Sequence, residues 1–436
     1  MKICSKKRAL IIHTLCFAIL LSACSGGKTA ASRGLYASES AFVNRLTENG
    51  SGLAREVPAH GNLKQCSLTG FGKEQGFGLD LRWLDCKNDL NTEQQKKVYD
   101  SIPEITFNSD TVFPDAMPED YSPSAILEAG KNPGLGVRSL HKKGITGTGV
   151  GVAIIDSPLY TGHPEYKDQL ALYEEIHVTP DEGASMHGSA ASSIAVGKTC
   201  GVAPGAKLYY WGVNFVKDSS VAFENEGIAY AEGLAVAVDR IIEVNKSLPK
   251  GGKIRVISIS EGFLTCDDDG VQTFLAAVER AKKANIFVVT TTTYQSYDWL
   301  SRETDFGGLG KKDYTGDPDN LLNYTLPLRG QDKPEKYSSR LLVPMDARTT
   351  ADFTGDGYAF FNEGGGSWVT PYVVGLYALA CQVKPDVTPE EFYKTARKTA
   401  DKLTVKISAG KDAGKNTYTV SVISPTKLIN ALKSDT

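Results

Sequence analysis

A chain of 436 residues is long enough for one large hydrophobic core with an appendage, and its 41% hydrophobic and 23% charged content is that of a globular protein. Lysine and arginine number 48 against 51 aspartate and glutamate, a formal net charge of -3. The composition speaks against a disordered chain, and the near balance of charge gives no sign of a nucleic-acid partner.

The N-terminus departs from the average. Lys6, Lys7 and Arg8 precede a mostly apolar run over 9–23, 15 residues long. A bilayer-spanning helix needs ~20 apolar residues. A basic start, a short apolar stretch and small residues at its end are instead the pattern of an export signal. Its end, Leu21-Ser22-Ala23-Cys24, resembles the lipobox of bacterial lipoproteins. That resemblance implies removal of residues 1–23 and attachment of a diacylglyceryl group to Cys24. The protein would then face the extracytoplasmic side of a cell membrane, palmitate or similar acyl chains holding it there. Two chains suffice for stable anchoring where one is marginal. Of eight cysteines, Cys66, Cys86, Cys200, Cys266 and Cys381 would remain as thiols or disulfides. Export permits disulfides, and Cys66–Cys86 is one available pairing. Cys381 stands in an apolar run and is expected to be a buried free thiol.

Residues 24–133 are expected to form an N-terminal accessory region and linker. Positions 28–65 are polar and glycine-containing, as in a spacer. Leu79-Asp80-Leu81-Arg82-Trp83 alternates as a half-buried strand does, within a small β-rich unit near 64–110. Pro114, Pro118 and Pro123 break the chain as a linker would. A removable prosegment, a chaperone and a permanent accessory all remain open for this region.

From 134 the texture changes. Residues 150–155 form a nearly continuous apolar run ending in Asp156, the pattern of a strand buried on both faces. Similar runs recur at 207–213, 254–260, 286–292 and 340–344. Helical spacing occupies 227–244 and 271–284, and Thr388 with Glu391 offers a capping box for a helix to about 402. Strands alternating with helices predict an α/β fold of three layers over 134–436: a mostly parallel central sheet with helices on both faces.

Three distant segments carry the chemistry. The first is Val152-Ala153-Ile154-Ile155-Asp156-Ser157 with His163-Pro164-Glu165 after it. Its aspartate stands at the carboxyl end of a buried strand, where open α/β sheets form ligand crevices. The second is His187-Gly188-Ser189, leading into a small-residue helix over 190–196. The third is Gly364-Gly365-Gly366-Ser367-Trp368-Val369-Thr370-Pro371, which puts a serine at the start of the apolar helix 372–383.

Together these segments resemble the three signature regions of the subtilisin-like serine peptidases, the subtilase family. Gly201-Val202-Ala203-Pro204 matches a further family element. The resemblance spans 142–402 and implies a serine endopeptidase with Asp156, His187 and Ser367 as triad, acting on peptide or protein substrates. Asp, His, Ser is the subtilisin order, whereas α/β-hydrolases and chymotrypsin-like enzymes follow others. The family's oxyanion asparagine is missing. Thr292-Thr293-Tyr294-Gln295 stands in its place, so the resemblance leaves Gln295 or Tyr294 as substitute donor. Ser260-Glu261-Gly262 matches the strand along which a peptide pairs, with Glu261 in place of an apolar residue, which suggests a preference for basic or polar side chains.

No cofactor is implied. The acidic runs Cys266-Asp267-Asp268-Asp269-Gly270 and Thr315-Gly316-Asp317-Pro318-Asp319 are candidates for structural calcium, although neither has EF-hand spacing. A metal-dependent hydrolase built on Asp156, His163 and His187 is disfavoured by the lack of H-E-x-x-H. The alternative is a weak or inactive subtilase-fold lipoprotein with a binding or regulatory role.

Overall fold

The computed structural model describes residues 43–48, 64–65, 79–87, 91–100, 104–115, 117–176, 178, 183–213, 230–263, 269–328, 333–406 and 417–434. The expected signal 1–23, Cys24, Cys66 and most of the acidic run 266–270 lie outside them. The strands are, in chain order, β1 (Val43–Glu48), β2 (Lys64–Gln65), β3 (Leu79–Asp80), β4 (Leu84–Asp85), β5 (Ile105–Asn108), β6 (Gly151–Asp156), β7 (Leu170–Ile176), β8 (Lys207–Val213), β9 (Ile254–Ile259) and β10 (Phe287–Thr290). After them come β11 (Phe306–Lys311), β12 (Tyr324–Thr325), β13 (Leu341–Pro344), β14 (Arg348–Ala351), β15 (Tyr358–Phe361), β16 (Asp401–Lys406) and β17 (Thr417–Val422). The helices that matter for the site are α1 (Thr92–Asp100), α2 (Pro123–Gly130), α3 (Val137–His141), α4 (Met186–Val196), α5 (Tyr230–Ser247), α6 (Asp269–Lys283), α7 (Glu335–Ser338), α8 (Gly366–Val383), α9 (Pro389–Thr399) and α10 (Pro425–Ser434).

A six-stranded sheet in the order β1-β7-β8-β6-β9-β10 forms the centre. All its pairs are parallel except β1 with β7. Side chains of β6 alternate between two cores, as period two requires of a strand covered on both faces. Val152 and Ile154 join the core containing α4 and α8, whereas Ala153 and Ile155 join the one containing α5 and α6. This is the expected three-layer α/β architecture. The helices near 227–244 and 271–284 are α5 and α6, and Thr388 caps α9 by accepting the Glu391 N–H at 3.2 Å.

Several elements differ from expectation. The alternating stretch 79–83 is no continuous strand: β3 ends at Asp80, and a turn with Trp83 at φ 59° leads into β4. Within the expected spacer, β1 pairs with the edge of the central sheet. In the expected linker, Pro123 occupies the first turn of α2, where a missing N–H costs nothing, and Ser122 caps the helix. Among the described residues three further sheets are present, the smallest of them the pair β2-β4. Of the larger two, one runs β12-β11-β13-β17-β16, and the other, β14-β15-β5-β3, joins strands from either side of residue 134. Cys86 is disulfide-bonded, and Cys200 and Cys381 are buried free thiols.

Candidate active site

Asp156 ends β6 and is 1% exposed. Its Oδ1 accepts the Ser157 N–H at 2.8 Å. His187 is the second residue of α4, whose cap Ser185 accepts the His187 N–H at 3.1 Å. The helix start lies tight against the end of β6. A Cβ on Gly188 would stand 2.7 Å from the Ser157 carbonyl oxygen and 2.2 Å from the Tyr210 hydroxyl. Only glycine permits that approach, and it delivers the imidazole to the carboxylate. His187 Nδ1 lies 2.8 Å from Asp156 Oδ1 and 2.9 Å from Oδ2.

Ser367 is the second residue of α8, whose cap Gly365 is extended at φ -143°. Pro371, one turn on, has no N–H to give the Ser367 carbonyl. The Ser260 hydroxyl fills that vacancy, donating to Ser367 O at 3.1 Å. In return Ser367 Oγ donates to the Ser260 carbonyl at 3.3 Å rather than to His187. Ser260 directly follows β9, the neighbour of β6, so the three candidate residues converge at the carboxyl ends of adjacent strands. Trp368 is buried, with its ring edge-on to His187 at 5.8 Å and to Phe361 at 5.2 Å.

Burial alone would pull the His187 pKa down. The Asp156 carboxylate, by charge and hydrogen bond, and the Glu261 carboxylate, by charge, outweigh burial and leave it above the ordinary histidine value. Burial raises the Glu261 carboxyl, against which the Gly262 N–H, donated to Oε1 at 3.0 Å, and His187 work. Glu261 thus lies within electrostatic reach of the imidazole, a relation no local motif signals.

The expected oxyanion candidates fall on a 3-10 turn, Thr293–Gln295. The Gln295 amide bridges the cleft walls: Nε2 donates to Phe263 O at 2.8 Å and Oε1 accepts from Thr292 Oγ1 at 2.6 Å. The half-buried Tyr294 ring packs against the α4/α8 core. Its backbone N–H donates at 3.2 Å to Asp305, a buried carboxylate that also accepts the Phe306 N–H at 2.8 Å. Burial pushes the Asp305 pKa up to about 7. A cavity of about 210 Å³ opens beside the turn that carries Ser367, lined by Thr290, Thr291, Asp305, Gly307, Arg340 and Gly366 among others. A larger one, about 1080 Å³, lies at the opposite ends of the strands and touches none of these groups.

His163 is committed elsewhere. Its Nε2 meets Gly357 O at 2.8 Å, and Nδ1 accepts the Glu165 N–H at 3.1 Å. Around Thr315–Asp319, the Asp317 carboxylate accepts the Asp319 N–H and Asp319 accepts the Gly136 N–H, which are turn and helix-entry contacts. Among the described residues no group of three or more His, Cys, Asp or Glu side chains is placed to hold a metal ion.

The sequence model of the subtilase family matches residues 147–323, a span that includes Asp156 and His187 and stops before Ser367. Serine protease AprX of Bacillus subtilis (strain 168) is 25% identical over 290 residues, 59% of this chain. The match spans 62% of that protein, less than two thirds of its length. Among solved structures, the prenylagaramide maturation protease PagA aligns with 17% identity, 68% of this chain, 98% of that one and a TM-score of 0.45. The patellamide maturation protease PatA aligns with 20% identity, 66% of this chain, 98% of that one and a TM-score of 0.43. Over residues 147–323 this chain is therefore similar to the subtilase family.

Proposed function

We propose that this chain is a lipid-anchored, extracytoplasmic serine endopeptidase in which Asp156, His187 and Ser367 carry out acyl transfer from peptide bonds. The observation that carries the reading is the imidazole held through Nδ1 by a buried carboxylate, 2.8 Å away, at the strand ends that also face the serine. Fixing Nδ1–H toward Asp156 selects the tautomer whose Nε2 is free to accept a proton. Ser367 Oγ attacks the scissile carbonyl carbon while its proton passes to His187 Nε2, and the carbonyl π pair moves onto oxygen. Collapse restores the carbonyl, breaks the C–N bond and returns that proton to the amine. Water, activated by the same imidazole, hydrolyses the acyl-enzyme.

A second reading, an inactive binding or regulatory module, draws on the Ser367 hydroxyl, which faces the Ser260 carbonyl at 3.3 Å. In unliganded sites catalytic hydrogen bonds are often made only once substrate binds, so the active reading keeps precedence. Fluorophosphonate labelling separates the two. Labelling of the wild type but not of Ser367→Ala, with peptide turnover falling ~10⁴-fold or more in the variant, is expected. An unlabelled wild type favours the module. The anchor rests on Leu21-Ser22-Ala23-Cys24, and the Cys86 disulfide accords with an oxidising compartment. Cys24→Ala is expected to release the protein from the membrane fraction, and unchanged retention would refute the anchor.

A further inference from the structure

Serine acyl transfer puts negative charge on the former carbonyl oxygen, and donors aimed at that charge supply a large part of the rate. One donor is available from helix geometry. As the second residue of the 18-residue helix α8, Ser367 has a backbone N–H with no carbonyl one turn earlier to accept it. The second donor must come from the wall facing Gly366 and Ser367, which is the end of β10. On that wall Gln295 is already engaged, bridging Phe263 O and Thr292 Oγ1, and the Tyr294 ring packs against the buried core.

Thr291 is the side chain that remains. It directly follows β10, is exposed, and its backbone N–H donates to Glu261 O at 2.9 Å, which fixes the residue against the cleft strand. Its hydroxyl has no hydrogen-bond partner among the described residues. Its position is defined by two glycines. A Cβ on Gly262 would meet Thr291 Oγ1 at 2.4 Å, and a Cβ on Gly366, the residue before the nucleophile, would meet Thr291 Cγ2 at 3.2 Å. The threonine thus stands between the strand end at Gly262, which its hydroxyl faces, and the turn that carries Ser367, which its methyl group faces.

We propose that the Thr291 hydroxyl, together with the backbone N–H of Ser367, donates to the oxyanion formed on the scissile carbonyl. The proposal rests on the peptidase reading and adds the donor that the sequence resemblance left open. The hydroxyl contributes when charge develops on oxygen, so its removal acts on kcat more than on KM.

The test is steady-state hydrolysis of a peptide substrate by the full chain and by Thr291→Val and Thr291→Ser. Valine keeps the shape and deletes the donor, whereas serine keeps the donor and deletes the methyl group. The expected result is a kcat ~10²-fold lower for Thr291→Val with KM within about twofold, and recovery to within about tenfold of wild type for Thr291→Ser. Wild-type kcat in Thr291→Val overturns the assignment, as does an equal loss in both variants, which would mark a packing role. Absence of Ser367-dependent turnover in the wild type overturns the peptidase reading and the assignment with it. A fully active Thr291→Val enzyme overturns the donor alone.

Discussion

His187 is the residue at which two carboxylates compete with burial. In the proposed mechanism it must be neutral at Nε2 to accept the Ser367 proton, so activity is expected to rise as pH climbs through its pKa. Asp156 and Glu261 both hold that pKa above the ordinary histidine value. Glu261→Gln removes one of them and leaves the Asp156 contact at 2.8 Å in place. The imidazole pKa then falls, and the acid limb of kcat/KM against pH moves to lower pH. A limb that stays where it was would show that Glu261 does not act on the imidazole. Asp156, His187 and Ser367 stand out as candidates in the sequence because each sits in a short run with its own physical logic: an apolar strand ending in a carboxylate, a helix of small residues, and glycines before a helix start. Glu261 is not legible in this role, because its charge acts across a gap between two strand ends that no spacing rule describes. Thr291 hides for a similar reason, as a run of four threonines gives no hint of which hydroxyl lacks a partner.

The elements that reach the site are held by contacts made across the chain rather than along it. The turn Thr293–Gln295 is tied to the start of β11 through Asp305, which accepts the N–H groups of Tyr294 and Phe306. Burying this carboxylate raises its pKa from 3.8 to about 7. Between those values the folded state binds a proton that the unfolded chain has lost. Stability from this group is therefore fully present below about pH 4 and is lost as pH rises through 7. The shift corresponds to roughly 2–4 kcal/mol at most. In urea unfolding at pH 5 and pH 8, the wild type should lose stability on going to the higher pH, and Asp305→Asn should lose markedly less. Equal losses would mean that Asp305 titrates as an exposed aspartate does. Strands such as β6 and β8 are legible as apolar runs. β7 is not, because Glu174 and Glu175 read as surface charge. Glu174 is buried only because Trp211 Nε1 at 2.7 Å and Arg240 at 2.9 Å satisfy it. β11, Phe-Gly-Gly-Leu-Gly-Lys, is masked by glycines that let Met345 approach: a Cβ on Gly308 would stand 2.2 Å from its sulfur.

Across the whole molecule, the segment before residue 134 shares a core with the segment that presents Ser367. Central strand β5 pairs with β15 through Ala359 with Asn108 and Phe360 with Phe107. Leu79, Leu81, Val98, Phe107 and Ile126 pack with Ala347 and Phe360 in one cluster. Buried Asn108 donates to Asp352 at 2.8 Å, and Thr106 Oγ1 accepts the Asn362 N–H at 3.4 Å, three residues after which the helix cap Gly365 follows. A prosegment that leaves on maturation would strip a neighbour from β15 and expose Phe360, now 2% accessible, directly behind the nucleophile turn. Exposing that much apolar surface and an unpaired strand edge costs several kcal/mol, at ~25 cal/mol per Å². Residues 79–130 are thus expected to be a permanent part of the folded protein. A chain beginning at 134 should be insoluble or lack the cooperative unfolding transition of one beginning at 79, and limited proteolysis of the full chain should leave 79–130 attached. A soluble chain from 134 with full Ser367-dependent turnover would show instead that this segment is dispensable, and that β15 holds the nucleophile turn without it.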